Sequence, residues 1–282
     1  MKLAYSSEEL KKTANDIRIN IVESIHCGGS GHPGGSLSIA EMMAVLYFHE
    51  MDVDEKNPKW EDRDRFVLSK GHAAPAYYAA LAERGYFDKE VLKTLRHIDS
   101  ILQGHPDMKK VPGVDMSTGS LGQGISAAAG MARFAKQIGK GFRVYSILGD
   151  GEIQEGQVWE AVMSAGHFKL DNLTAFLDNN DLQIDGHVSA EMSVYPIREK
   201  FEAFGWNVVE ADGHDVDELV EAVAKAKACE GKPTLIWCKT VKGKGVSFME
   251  NQVGWHGTAP NDEQYAVAME ELEKAGEALC QK

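Results

Sequence analysis

Asp150 and Asn180 are the residues whose placement says most about chemistry. Each follows an apolar run: Arg143-Val144-Tyr145-Ser146-Ile147-Leu148 precedes the first, and Leu173-Thr174-Ala175-Phe176-Leu177 precedes the second. Between the runs, Glu155 to His167 has helical character. Such a strand–helix–strand unit carries polar groups at the carboxyl ends of its strands, where open parallel sheets bind ligands. Asp and Asn oxygens are hard donors that suit Mg²⁺ or Ca²⁺. Gly149 and Gly151 flank Asp150 and let a diphosphate approach the backbone.

Histidines are the second source of chemistry. His32, His72, His105, His167, His187, His214 and His256 all adjoin a glycine, so that dipeptide alone discriminates little. His167 ends a helical segment, a common structural place for histidine. His187 and His214 follow turns and read as solvated. His32, His72, His105 and His256 differ, because each lies in a Gly- or Pro-rich loop, and such loops carry function disproportionately. Imidazoles titrate near neutrality and can move protons at physiological pH. Glu152, Glu155 and Glu160 read, on the residues alone, as acids complementing a helix N-terminus. Lys242-Gly243-Lys244-Gly245 reads equally as a phosphate nest or a solvated loop. Gly119-Ser120-Leu121-Gly122-Gln123-Gly124 departs from the dinucleotide fingerprint and follows a poor strand, and no Walker A sequence occurs.

The elements that must position these groups alternate. A helix from Glu9 or Leu10 to about Cys27 is capped by Ser6 or Ser7. A glycine-rich loop, Gly28 to Gly35, leads to a helix over Ser38 to Phe48. A short strand, Phe66-Val67-Leu68, is followed by an Ala-rich helix to Arg84. Leu102 to Met116 reads as a long loop, and a second Ala-rich helix runs to about Ile138. Beyond the central unit come a strand at Trp206 to Glu210, a helix at Val216 to Cys229 and a strand at Thr234 to Cys238. A loop over Lys242 to Pro260 precedes a final amphipathic helix, Asn261 to Leu279. This alternation predicts an α/β fold, a mostly parallel sheet covered by helices on both faces. No linker or repeat interrupts it, and residues 1–282 are expected to form one domain.

Composition narrows the partners. The chain of 282 residues is 43% apolar, enough for a substantial core, and its formal net charge of -13 disfavours nucleic acid and anionic membranes. Phosphorylated ligands would have to be held by local features. The four cysteines, Cys27, Cys229, Cys238 and Cys280, form no CxxC pair and read as reduced cytosolic thiols. The N-terminus is no signal peptide, and no apolar run approaches the ~20 residues that span a bilayer. A cytoplasmic location is expected.

Taken in order, these motifs identify a family. The chain resembles the amino-terminal half of transketolase across nearly its whole length. The matching segments are Ser30-Gly31-His32-Pro33-Gly34, Ser69-Lys70-Gly71-His72-Ala73, Gly104-His105-Pro106-Asp107, Thr118 to Ile125, Gly149-Asp150-Gly151 with Gln154-Glu155-Gly156, Asn180 with Ile184-Asp185-Gly186, and His256 to Pro260. The Gly-Asp-Gly element alone is shared by thiamine-diphosphate enzymes generally; the ordered set is specific. Ser120 stands where the family commonly has Pro, and Gly35-Ser36 where it has Ala-Pro.

The resemblance implies a thiamine-diphosphate-binding fold and transfer of a two-carbon ketol unit from a ketose phosphate to an aldose phosphate, chemistry of the pentose phosphate pathway. It implies that Asp150, Asn180 and the Leu182 carbonyl hold Mg²⁺ (or Ca²⁺ or Mn²⁺), and that Gly151, His72 and His256 contact the diphosphate. Gly119, Ser120, Leu121 and Ile184 would lie against the thiamine rings. His32, His105 and His256 would meet the sugar oxygens, and Glu155 and Glu160 would link two active sites at a subunit interface. The cofactor-activating glutamate and most contacts to the sugar phosphate belong to domains this chain does not contain. A complementary C-terminal subunit, in an α2β2 assembly, is therefore implied. The α subunit of a 2-oxo acid dehydrogenase E1 is the main alternative, disfavoured by the loop histidines. A deoxyxylulose-phosphate synthase fragment should lack Gly104-His105-Pro106, and a non-catalytic regulatory homologue should have lost Asp150 or Asn180.

Overall fold

A computed structural model describes residues 2–280; Met1 and the last two residues lie outside it. Five strands form one sheet, β1 (Arg65–Leu68), β2 (Val144–Gly149), β3 (Leu173–Asn179), β4 (Asn207–Asp212) and β5 (Thr234–Lys239), in the spatial order β1-β2-β3-β5-β4. Every pairing is parallel. The central strand β3 is buried along its whole length, as a parallel strand covered on both faces must be.

Alternate strand residues feed two cores. On one face Phe66, Tyr145, Ile147, Phe176 and Ile236 pack with α1 (Ser7–Gly28), α2 (Pro33–Leu37), α3 (Ala40–Val45), α4 (Ala74–Arg84) and α9 (Val216–Ala228). On the other, Val67, Val144, Leu148, Ala175 and Leu177 pack with α5 (Gln123–Gln137), α6 (Gly156–His167) and α8 (Ile197–Ala203). Between these last two, α7 (Val188–Glu191) is a single turn, and α10 (Asp262–Cys280) lies along α1. The α1 cap is Ser6, which forms a reciprocal capping box with Glu9.

Two local expectations change. The helix read over Ser38 to Phe48 begins earlier and is broken: α2 starts inside the glycine-rich segment, and α3 continues as a π-turn over Leu46–Glu50. Pro33 at the first helical position starts α2. Gly34 is kept free of a side chain by its neighbours, since a Cβ there would stand 2.8 Å from the Trp255 carbonyl and 2.9 Å from Lys242 Cγ. The short helices α7 and α8 had no periodic signal; α8 is held by Ile197 and Phe201 in the core.

Register sets up the site. Gly149 pairs with Asp178, Asp178 with Cys238 and Cys238 with Ala211, so one row crosses the carboxyl edge of the sheet. The turns that follow carry Asp150, Asn180 and Lys242 from three neighbouring strands to the same edge.

Candidate active site

At that edge lies a cavity of about 300 Å³. Of the residues named from the sequence, His72, Leu121, Asp150, Gly151, Glu155, Asn180, Leu182, Ile184 and His256 line it. His32 adjoins it, with its ring centroid 5.3 Å from that of His72 and 5.6 Å from that of His256. His105 is exposed and packs against Gly119. Gly119 supports the wall rather than lining it: a Cβ on Gly71 would stand 2.6 Å from its nitrogen. Ser120 is exposed and stands outside the cavity lining, and Glu160 is exposed on α6, also outside it.

One end of the cavity is built of oxygens. Asp150 is almost fully buried; its Oδ2 accepts from Asn179 Nδ2 at 2.8 Å and from the Asp181 amide at 2.6 Å. Burial, and then the neighbouring Asp178 charge, push its carboxyl up to about 6. Asn180 donates through Nδ2 to Asp178 at 3.0 Å, and its Oδ1 accepts from the Leu182 amide at 3.1 Å. The Leu182 carbonyl accepts from Lys242 Nζ at 3.0 Å. A carboxylate that burial holds partly protonated, beside an amide oxygen and a carbonyl, fits a hard divalent cation, whose charge would return Asp150 to its ionised form.

The other end is basic. Lys242 is buried, with Nζ 2.8 Å from His256 Nδ1. Burial and the Lys70 charge bring its amine down to about 8. Burial pushes His256 down to about 3, helped by Lys242 and His32. His32 falls to about 4, through burial and then Arg96, and His72 falls well below its ordinary value through burial and Lys70. Arg96 Nη2 donates to His32 Nδ1 at 3.3 Å. Burial and neighbouring cations disfavour the charged forms of His32, His72, His256 and Lys242, whereas Lys70 is paired with Asp178; a diphosphate would fit beside the unpaired members.

Three residues organise the floor in a way the sequence did not assign to them. Asp178, fully buried, accepts from Ser38 Oγ at 2.7 Å, from Asn180, from Lys70 Nζ and from Thr240 Oγ1. Burial alone would raise its carboxyl, but the Lys70 ammonium and these donors hold it below the usual range. Lys70 also donates to the Gly35 carbonyl at 2.6 Å. Glu152 is buried rather than a solvated helix-end acid. Its oxygens accept from Ser69 Oγ at 2.6 Å, Gly122 N at 3.0 Å and Gly149 N at 3.1 Å, joining three glycine-bearing turns. A charged residue ending an otherwise apolar run, as Asp178 does, was the available signal. Lys242 is neither in a solvated loop nor in a backbone nest; its side chain enters the cavity.

Over residues 9–275 the chain matches the family described as transketolase, thiamine diphosphate binding domain. Its fold superposes on a transketolase from Campylobacter jejuni with a TM-score of 0.90 and 32% identity, covering 98% of this chain and 46% of that one. The chain belongs to the transketolase family. It is 49% identical to the 6-deoxy-6-sulfo-D-fructose transketolase subunit SqwG of Clostridium sp. (strain MSTE9), over 95% of this chain and 98% of the relative. It is 40% identical to one subunit of the apulose-4-phosphate transketolase of Phocaeicola vulgatus, over 96% of each. Human transketolase is 47% identical over 89% of this chain, which spans only 40% of that protein. The chain thus matches two proteins named as transketolase subunits over nearly their whole length and spans less than half of the single-chain transketolases, all of them transferases.

Proposed function

We propose that this chain binds thiamine diphosphate through a divalent cation and, with a complementary C-terminal subunit, transfers a two-carbon ketol unit between sugar phosphates. The carrying observation is the composition of one cavity, which brings Asp150, Asn180 and the Leu182 carbonyl together with the buried basic groups His72, Lys242 and His256. When bound, the cofactor supplies the carbanion chemistry that breaks and forms carbon–carbon bonds. Asp150, Asn180 Oδ1 and the Leu182 carbonyl hold the metal; Gly151, His72, His256 and Lys242 face the diphosphate; Leu121 and Ile184 give apolar contact to the rings. His32, His105 and His256 stay neutral at pH 7, so they can donate to or accept from sugar hydroxyl and carbonyl oxygens. Glu155 at the start of α6 and Glu160 within it are both exposed, open to a second subunit.

A pyrimidine-binding domain on a partner chain would complete the site, in an α2β2 assembly with a location in the cytoplasm. Among the described residues no helix is long and apolar enough to cross a membrane. The test is reconstitution. The purified chain alone is expected to lack ketol transfer, and the complementary chain should restore it when thiamine diphosphate and Mg²⁺ are present. Full transfer by this chain alone would refute the divided-enzyme reading. Decarboxylation of a 2-oxo acid in place of ketol transfer would favour the E1 alternative.

A further inference from the structure

The loop after β5 carries Lys242 into the cavity, but the groups that hold the loop lie outside it. The Val241 amide donates to His214 Nε2 at 2.8 Å. The Lys244 carbonyl accepts from Arg18 Nε at 3.0 Å. The backbone is therefore tied on both sides of Lys242. The two tethers share a third residue: Glu41 Oε2 accepts from Arg18 Nη2 at 2.6 Å and lies 3.1 Å from His214 Nδ1. The side chains of Arg18, Glu41 and His214 are 8%, 9% and 13% exposed, so His214 is not the solvated turn residue expected of it.

Hydrogen-bond chemistry determines the state of this histidine. A backbone N–H can only donate, so Nε2 must present its lone pair to Val241. The ring hydrogen then sits on Nδ1 and points to Glu41. Burial opposes ionisation of Glu41, but Arg18 and His214 hold its carboxyl down to about 2, so the acceptor is a carboxylate. The trio reaches outward through the His214 Nε2 lone pair, which accepts from the Val241 amide, and through Arg18, which donates to the Lys244 and Leu37 carbonyls. The tether bears on Lys242 because the peptide it holds is the one that joins Val241 to Lys242, whose Nζ reaches the Leu182 carbonyl at 3.0 Å and His256 Nδ1 at 2.8 Å.

We propose that His214 is a positioning residue for Lys242, holding the Val241 peptide so that the ammonium meets the Leu182 carbonyl and His256. His214 touches neither the cavity nor its contents. The value of this placement to the enzyme rests on the functional reading above; the placement itself does not.

The test separates the two ends of the imidazole. Gln at position 214 offers an acceptor where Nε2 stands, and Asn offers a donor where Nδ1 stands but nothing for Val241. Lys242 reactivity toward an amine-acylating reagent, read by mass spectrometry on the full-length chain without cofactor, reports whether the ammonium has left its pocket. His214→Gln is expected to match the wild type within about twofold, whereas His214→Asn should label about tenfold faster, as loss of one buried hydrogen bond implies. In the assembled complex, His214→Asn should weaken thiamine diphosphate binding, yet add nothing to Lys242→Met, as residues acting as a unit behave. Equal labelling of all three chains would overturn the proposal. So would the reverse ranking, which makes His214 a support for Glu41 alone, or failure of His214→Gln to fold. Absence of cofactor binding by the wild-type complex would instead sink the functional reading and leave the labelling result standing.

Discussion

The two ends of the cavity are displaced from their ordinary chemistry in opposite directions. At the oxygen end a carboxyl is pushed up to about 6; at the basic end imidazoles are pushed down to about 3 and 4 and a lysine to about 8. Burial is the first cause at both. What differs is the sign of the neighbour: Asp178 beside Asp150, Lys70 and Arg96 beside the basic groups. A cation joined to an anion, the ligand proposed above, would relieve both displacements.

The most severe way to break this comparison is at the oxygen end. Asp150→Ala removes the carboxylate that a divalent cation needs, with a loss of several kcal/mol, roughly a thousandfold or more in affinity. Calorimetry on the assembled complex should show Mg²⁺-dependent thiamine diphosphate binding in the wild type and none in the variant. Retention of normal affinity would remove Asp150 from the metal site.

Next come the histidines. His32→Ala and His105→Ala are expected to lower turnover by about a hundredfold, with a raised donor KM and cofactor affinity held. His72→Ala should do the reverse, weakening the cofactor first. Steady-state kinetics beside direct binding separates the two patterns, and three variants with wild-type values in both would make these loop histidines structural.

Lys242→Met sharpens the basic end. Removing a hydrogen bond to a charged group should weaken the cofactor by about 2 kcal/mol. The ligand-free chain should nevertheless melt higher, because a disfavoured buried amine has gone. A lower melting point together with unchanged affinity would show that Lys242 serves the fold and not the ligand.

The mildest test is pH. His32, His72 and His256 have folded values below the unfolded 6.5, so between about 4 and 6.5 the unfolded chain binds more protons and stability rises with pH. Asp150 acts the other way between its unfolded value and about 6, as do Asp16, Asp64, Asp115 and Glu152, while His105, Glu41, Asp171 and Asp178, all lowered, add to the histidines. The ligand-free chain should therefore lose melting temperature as pH falls from 6.5 to about 4, and bound metal and diphosphate should flatten that slope. A slope unchanged by saturating ligand would mean that these groups do not face it.

The sequence made β2, β3 and β5 legible because parallel strands buried on both faces read as unbroken apolar runs, and Asp150 and Asn180 could be placed at their ends by counting. The loop histidines were legible because Gly and Pro mark the loops. What escaped were contacts made across long separations. Asp178 and Lys70 are 108 residues apart, and His214 meets Glu41 over 173. No local pattern marks either pair. α2 escaped because its glycines resemble a loop in sequence, although Gly34 is required by close packing against Trp255 and Lys242.

The spatial order of the strands has a consequence for how the molecule is made. β5 lies between β3 and β4 although it is the last strand in the chain. During synthesis β4 has no partner in the sheet until Thr234–Lys239 has emerged, and its apolar residues must wait uncovered. Parallel pairings of this kind close long loops and form slowly. Lys242 and His256 follow β5, so these two members of the basic end join the cavity after the rest of its lining, in the final stage of folding. Ligand binding before that stage would lack Lys242 and His256, the two cavity residues that follow β5.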